Sequence, residues 1–380
     1  MMKHLFLLTL ATLLMSFSMV CAEDPIVFVS AFAPGEKGAI HAFRFDTKHG
    51  RLTALSRTVD IEHPFFLAVA PNGRHLYAVD SEKFGDDVDE FIAAYSIDRS
   101  SGTLTRLNRQ SAKGRTSCYL DIDDTGKTVV VANYSSGDVA ALPVREDGSL
   151  GEAASFVRHS GSSVDPKRQK APYAHCLEIS PDNRFALAAD LGIDKVLIYR
   201  LDNATAKMSA NEAQPFATVE PGSGPRHLTF HPNGKRVYVI NELKNTVTFF
   251  DYGPDAGTLK VRQTISTLPD SFTGTSYCAD LKITPNGRFL YGTNRGHDSI
   301  AIYRIAEDGT LSLVRIVPSL GKGPQNLLIT LGGRWLLCAN MPGNNIAVFR
   351  INEQTGELTP GSEPVSIPMP SCIRWLPQSR

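Results

Sequence analysis

GPRHLTFHPNGKRVYVINELKNTVTFF, residues 224–250, carries the plan on which most of the chain is built. Apolar and polar residues alternate on either side of Pro232-Asn233-Gly234, the pattern of two half-buried strands joined by a turn. Proline presets its own φ, and asparagine or glycine accepts a positive φ, so this tripeptide favours a tight reversal. A third strand is predicted over 246–252. The reversal returns the chain to its starting level, so Arg226 and His227 at one end of the pair become neighbours of Asn241 and Glu242 at the other. A strand pair does not require charges there.

Six segments share this plan: FFLAVAPNGRHLYAVD (65–80), SCYLDIDDTGKTVVVAN (117–133), HCLEISPDNRFALAAD (175–190), RHLTFHPNGKRVYVIN (226–241), ADLKITPNGRFLYGTN (279–294) and QNLLITLGGRWLLCAN (325–340). Each is followed by a third strand, FIAAYSID, DVAALPV, KVLIYRLD, TVTFFDY, SIAIYRIA or NIAVFRIN. The turn residues Pro71, Asp124, Pro181, Pro232, Pro285 and Leu331 lie 53, 57, 51, 53 and 46 residues apart, the spacing of propeller blades. Fourth strands are expected in LTRLNRQ, FATVE, VRQTIS and LSLVRIV.

The ends supply a seventh unit. Residues 25–46 and 52–60 read as strands without an inner partner, and SCIRWLP (371–377) is a lone strand. Joined, they complete a blade and remove the exposed sheet edges that invite aggregation. An all-β, seven-bladed propeller closed by its two ends is therefore expected over 23–380, in preference to an open β-solenoid or a two-domain β protein.

Counting from the turn locates a candidate site. Six residues before it, at the start of the innermost strand, stand Phe65, Cys118, His175, Arg226, Ala279 and Gln325; ten residues after it stand Ser81, Tyr134, Leu191, Glu242, Arg295 and Met341. Both positions open on one mouth of the central channel. The charged residues and the one histidine among them, His175, Arg226, Glu242 and Arg295, come from three consecutive repeats. Two guanidiniums bind an anion, and a histidine with a carboxylate moves protons. An intrablade salt bridge and a satisfied histidine are the plainer reading, and surface pairs of that kind contribute little. His227, Asn241, Gln325 and Tyr134 flank the set as candidate substrate contacts. The residues Asp80, Asn133, Asp190, Asn241, Asn294 and Asn340 recur in all six repeats and are expected to cap turns.

Composition narrows the field. Among 380 residues, 39 basic side chains balance 39 acidic ones, which gives no field for a nucleic acid or an anionic membrane. The first residues, with Lys3 and His4 before an apolar run to Val20 and small residues at Val20 and Ala22, have the form of a signal peptide over 1–22. The run is shorter than the roughly 20 residues of a spanning helix, and Val20 is too large to precede a lipidated Cys21. Export to a periplasm or beyond is expected, with no membrane span in the mature form. Cys118, Cys176, Cys278, Cys338 and Cys372 are scattered without a CxxC pair, so buried free thiols are expected. GxSxG, HExxH, phosphate-loop and GxGxxG motifs are missing. HSGSS (159–163) opens a polar loop that runs to Lys170, expected to be mobile and long enough to cover the mouth. Trp335 and Trp375 read as core residues on strands. No element of the pattern specifies an oligomer.

At GPRHLTFHPNG followed by VINEL, and again at ADLKITPNGRFLYGTNRG, the sequence resembles the lactonase family of seven-bladed propellers, which includes the propeller-type 6-phosphogluconolactonase and carboxymuconate lactonizing enzyme. The resemblance covers residues 25–377 and implies functional roles for His175, Arg226, Glu242 and Arg295. GKGPQNLLI departs from it, placing Gln325 where many relatives have arginine and so removing one anion contact. The leader separates the chain from the cytosolic pentose phosphate pathway.

The function expected is hydrolysis of a sugar lactone, an anionic one included, without a metal or other cofactor: Glu242 or His175 activates water while Arg226 and Arg295 hold the carbonyl oxygen or an anionic substituent. Arginines beside Glu242 should keep it ionised, which favours histidine for proton transfer. A muconate-type cycloisomerase would use the same groups without water, and a non-catalytic exported propeller would bind a ligand or protein through the funnel. A calcium site fits poorly, because the funnel set holds a single carboxylate.

Overall fold

The structure, a computed structural model, describes residues 24–85 and 87–377. The signal-peptide segment expected over 1–22 lies outside them. Among the described residues the chain forms seven antiparallel sheets, and its helix is confined to one 3-10 turn, Gly35–Lys37.

Each repeat is a meander. In the fourth, Pro225–Phe230, Arg236–Asn241, Thr246–Gly253 and Thr258–Ser266 pair in chain order from the channel outward. The innermost strands Leu67–Val69, Ser117–Ile122, Ala174–Ile179, Pro225–Phe230, Tyr277–Ile283 and Pro324–Ile329 each touch the next around the channel. Pro370–Trp375 stands between the last and the first of them. It pairs antiparallel with Ile26–Ala31, with Val27 opposite Trp375 and Val29 opposite Ile373, and Ala39–Asp46 and Arg51–Thr58 follow outward. The two ends of the chain thus share one blade, as their missing partners implied.

Neighbouring blades bury their faces against each other, and the polar ends of buried tyrosines are tied across the joint. Tyr77, Tyr238 and Tyr291, all fully buried, donate to the carbonyls of Gly148, Gly309 and Gly356 in the following blade at 3.0, 2.7 and 2.8 Å. Gly309 has a φ of 95°, and a Cβ there would collide with the Phe249 ring. The five described cysteines are buried and free. Trp335 is buried and donates to the carbonyl of Thr47 at 2.9 Å.

The outer edges depart from expectation. FATVE does not form one fourth strand: Lys207–Ala210 and Phe216–Thr218 both pair with Lys195–Asp202. Pro215 has no N–H for a ladder, and the Asn211 amide turns into the next blade to donate to Ala256 and Gly257. Outer strands Ser155–Arg158, Leu358–Pro360 and Val365–Ser366 are short and largely exposed, and so carry little alternation to read.

Candidate active site

The innermost strands share an irregularity that the sequence pattern does not show. Register slips by one residue between Ser117 and Tyr119, Ala174 and Cys176, Pro225 and His227, and Pro324 and Asn326. The residues left unpaired are Cys118, His175, Arg226 and Gln325, the position six before the turn. A bulge takes its extra residue out of the alternation and re-aims the side chain. Here all four line one cavity of about 230 Å³ at a channel mouth. Tyr134, Glu242, Arg295 and Met341, ten residues after their turns, line the same cavity, with Phe65, Phe84, Thr116 and Arg168 completing it.

Glu242 is its centre. Arg226 Nε and Arg295 Nη2 donate to Glu242 Oε2 at 3.1 and 2.7 Å, and Arg168 Nη2 donates to Oε1 at 2.5 Å. Burial alone would raise the carboxyl, but Arg295, Arg226 and Arg168 outweigh it and hold it below its ordinary value. Glu242 is therefore ionised at neutral pH, and two positive charges remain uncompensated around the cavity.

Arg226 is fully buried and held on three sides. Besides Glu242, its Nη1 donates to the Ala279 carbonyl at 2.5 Å and to His227 Nε2 at 3.1 Å. A guanidinium has no acceptor, so His227 Nε2 is unprotonated and Nδ1 donates to Asp280 Oδ1 at 2.9 Å. Burial and the Arg226 charge pull His227 down to about 3, against the Asp280 contact, so it stays neutral. Asp280 Oδ2 accepts from Asn326 Nδ2 at 2.7 Å and from the Leu327 N–H at 2.9 Å. This buried line, Glu242–Arg226–His227–Asp280, fixes the direction of the Arg226 guanidinium.

Two expected substrate contacts are corrected by these positions. His227 follows the bulged Arg226 and has both ring nitrogens occupied inside the channel, behind the cavity rather than on it. Asn241 is fully buried and its amide donates to the hydroxyls of Thr246 and Thr248, both at 2.9 Å, so it caps its strand pair like the other members of its set. Gln325 and Tyr134 do line the cavity. Arg226 lines the cavity too, but its side chain is 1% exposed and its Nε is taken by Glu242. Arg295, 28% exposed, is open to a ligand.

His175 lines the cavity edge-on to Tyr134, with ring centroids 5.4 Å apart. Burial, with Arg226, His227 and Arg295 nearby, drives it well below its ordinary value. It is neutral at physiological pH and a weak base, which removes the reason for preferring histidine in proton transfer. Burial pushes the Cys118 thiol up, so it is no nucleophile.

Arg168 is the site residue that the repeat register missed. It stands in the polar loop after HSGSS, where no periodicity marks it; the length of that loop beside the third repeat is the signal that pointed to it. Among the described residues no group of three or more His, Cys, Asp or Glu is arranged to hold a metal ion. Nor is any helix among them long and apolar enough to cross a membrane.

A seven-bladed ring with a carboxylate and three arginines at one mouth defines a class. The family described as Lactonase, 7-bladed beta-propeller, matches residues 26–375, and the chain belongs to it. It is 35% identical over 354 residues to a 6-phosphogluconolactonase of Bacillus subtilis, covering 93% of this chain and 99% of that one. A solved putative 6-phosphogluconolactonase of Bacteroides fragilis superposes with a TM-score of 0.86 at 32% identity, over 94% of this chain and 99% of that one. The periplasmic gluconolactonase PpgL of Pseudomonas aeruginosa gives a TM-score of 0.86 at 31% identity, over 93% and 99%. The chain is accordingly a lactone hydrolase, a carboxylic ester hydrolase that opens a sugar lactone.

Proposed function

We propose that the substrate is a gluconolactone-type sugar lactone carrying an anionic group, and that Glu242 is the general base. The observation that carries this reading is the excess of guanidinium around one buried, ionised carboxylate in a cavity that opens at the channel mouth. Relatives named for phosphogluconolactone and gluconolactone support the sugar class, and with it a place in glucose and wider carbohydrate metabolism.

Water held at Glu242 attacks the carbonyl carbon, and its proton passes to Glu242 Oε1 as the carbon–oxygen bond forms. The carbonyl electrons move to the oxygen, where the exposed face of Arg295 stabilises the charge. On collapse the bond between this carbon and the ring oxygen breaks, and the proton on Glu242 passes to that oxygen. The product is the open hydroxy acid, with every atom of the lactone and one water accounted for. Neutral His175 hydrogen-bonds the sugar hydroxyls, and Tyr134 and Gln325 shape the entrance. These steps run on protein groups alone.

Export follows from the leader pattern of residues 1–22, and a relative described as periplasmic supports it. The mature form is then expected to begin near Glu23, which N-terminal sequencing reads directly. Hydrolysis of a lactone panel in ¹⁸O-water tests the chemistry: one heavy oxygen should enter the new carboxylate. Ring rearrangement without label would favour the cycloisomerase, and binding without turnover the non-catalytic propeller.

A further inference from the structure

Loop 159–173 joins the outer strand Ser155–Arg158 of the second repeat to the innermost strand Ala174–Ile179 of the third. The equivalent connection from Ser111 to Ser117 spans only residues 112–116, so this one is an insertion into the plan. It is not slack. Asp165 Oδ1 accepts the N–H groups of Lys167 and Arg168 at 2.8 and 3.0 Å, and the buried Gln169 amide donates to the Leu191 carbonyl at 2.8 Å. Ser163 Oγ donates to Asp194 Oδ2 at 2.5 Å. Asp194 also accepts from the N–H groups of Gly222 and Gly224 at 2.6 and 2.7 Å, in the segment leading to Arg226. The loop is tied to the third blade by its own side chains, and through Asp194 to the segment that leads into the fourth.

Among the described residues of this loop, Arg168 is the one whose side chain lines the cavity. It is 33% exposed, against 28% for Arg295 and 1% for Arg226. Arg226 and Arg295 share Glu242 Oε2, while Arg168 is the cation on Oε1, with the Tyr134 hydroxyl 3.4 Å away and the Tyr277 ring 5.5 Å beneath it. A base covered by a guanidinium has no lone pair free in that direction for water. A ligand anion with more charge and more acceptor oxygens than a carboxylate competes for that guanidinium.

We propose that Arg168 reads the charge of the substrate: paired with Glu242 Oε1 as found here, it transfers on binding to the anionic group of the lactone and uncovers Oε1 for the attacking water. This deepens the lactone-hydrolase reading and rests on it. One ion pair is exchanged for another, so the differential contact that drives the change is supplied by the ligand. A neutral lactone leaves Arg168 in place and meets a covered base.

The experiment compares the wild type, Arg168→Ala and Arg168→Lys on gluconolactone and on its 6-phosphate, with calorimetric binding of 6-phosphogluconate to the same proteins. The ratio of kcat/KM for the phosphorylated over the neutral lactone should fall about tenfold or more in Arg168→Ala, the effect of losing one charge-assisted contact, with Arg168→Lys between. The neutral lactone should turn over faster in Arg168→Ala as Oε1 is uncovered. An unchanged ratio, including a parallel loss on both lactones, overturns the proposal. So does a wild type that opens the neutral lactone but neither opens nor binds the phosphorylated compound, and that result leaves lactone hydrolysis standing. If the wild type opens neither lactone, the hydrolase reading fails and binding decides: 6-phosphogluconate held about tenfold more weakly by Arg168→Ala supports the charge reading, and equal or absent binding overturns it.

Discussion

Glu242 and Glu178 lie at opposite mouths of the same channel, on adjacent blades, and burial acts on both in the same direction. Their outcomes differ. Glu178, three residues before its turn, borders a cavity of about 320 Å³ with Tyr119, Asp121, Lys282 and Arg374. Burial and the neighbouring Asp121 push it up to about 8, against Lys282, and burial takes Asp121 to about 6. Cations stand there too, but they are committed elsewhere. Lys282 Nζ donates to Asp280 at 3.1 Å, and Arg374 lies 4.5 Å over the Phe66 ring and donates to the Ile373 carbonyl. At the other mouth three guanidiniums converge on one carboxylate and reverse the effect of burial. The sign of the shift is thus decided by where nearby cations point, beyond their mere presence.

Both mouths depend on ring closure, so the largest effect tests that first. Truncation before Pro370 removes the innermost strand of the shared blade, and the cooperative thermal transition should be lost; an unchanged melt would refute closure as a requirement of the fold. Next, Glu242→Gln should lower turnover by about a hundredfold or more, the usual effect of losing a general base, whereas Glu178→Gln at the far mouth should leave turnover within a factor of about two. Because Arg226 is fully buried, Glu242→Gln should also cost about 3 kcal/mol of stability in denaturant titrations. Equal turnover in the two variants would erase the distinction between the mouths.

Asp280→Asn should have a smaller effect, lowering kcat about tenfold with little change in KM, because an amide no longer selects the His227 tautomer that accepts from Arg226. The ¹⁵N shifts of His227 report the tautomer, a readout that a purely structural role for Asp280 would not move. The smallest effect concerns the far mouth. Glu178 titrates at about 8 in the folded chain against an ordinary 4.5, so the folded state holds its proton more tightly. The stability this adds is complete below pH 4.5 and is lost as pH rises through 8. Glu178→Gln removes that loss, and its melting temperature relative to the wild type should rise between pH 5 and pH 9. A pH-independent difference would contradict a protonated Glu178.

Legibility of the site followed the range of the interactions. His175, Arg226, Glu242 and Arg295 could be gathered by counting from the turn, since each hangs on a repeated strand whose register the turn fixes. His227 and Asn241 could not be placed so, because their neighbours across the bulge and the strand pair decide which way they face. Arg168 has no register at all; its position depends on Asp165, Gln169 and Asp194 clamping a loop between blades.

By itself the sequence determined a ring of seven units, the joining of its ends and the mouth that bears the charges. Those follow from alternation, turn chemistry and repetition, which are local and recur. Tertiary structure alone decided that the inner-strand residues are bulged into the cavity, that Arg226 is sealed while Arg295 is open, and that a third guanidinium from outside the repeat covers Glu242. Those depend on contacts between blades, and the electrostatics of a buried group are set by everything folded against it.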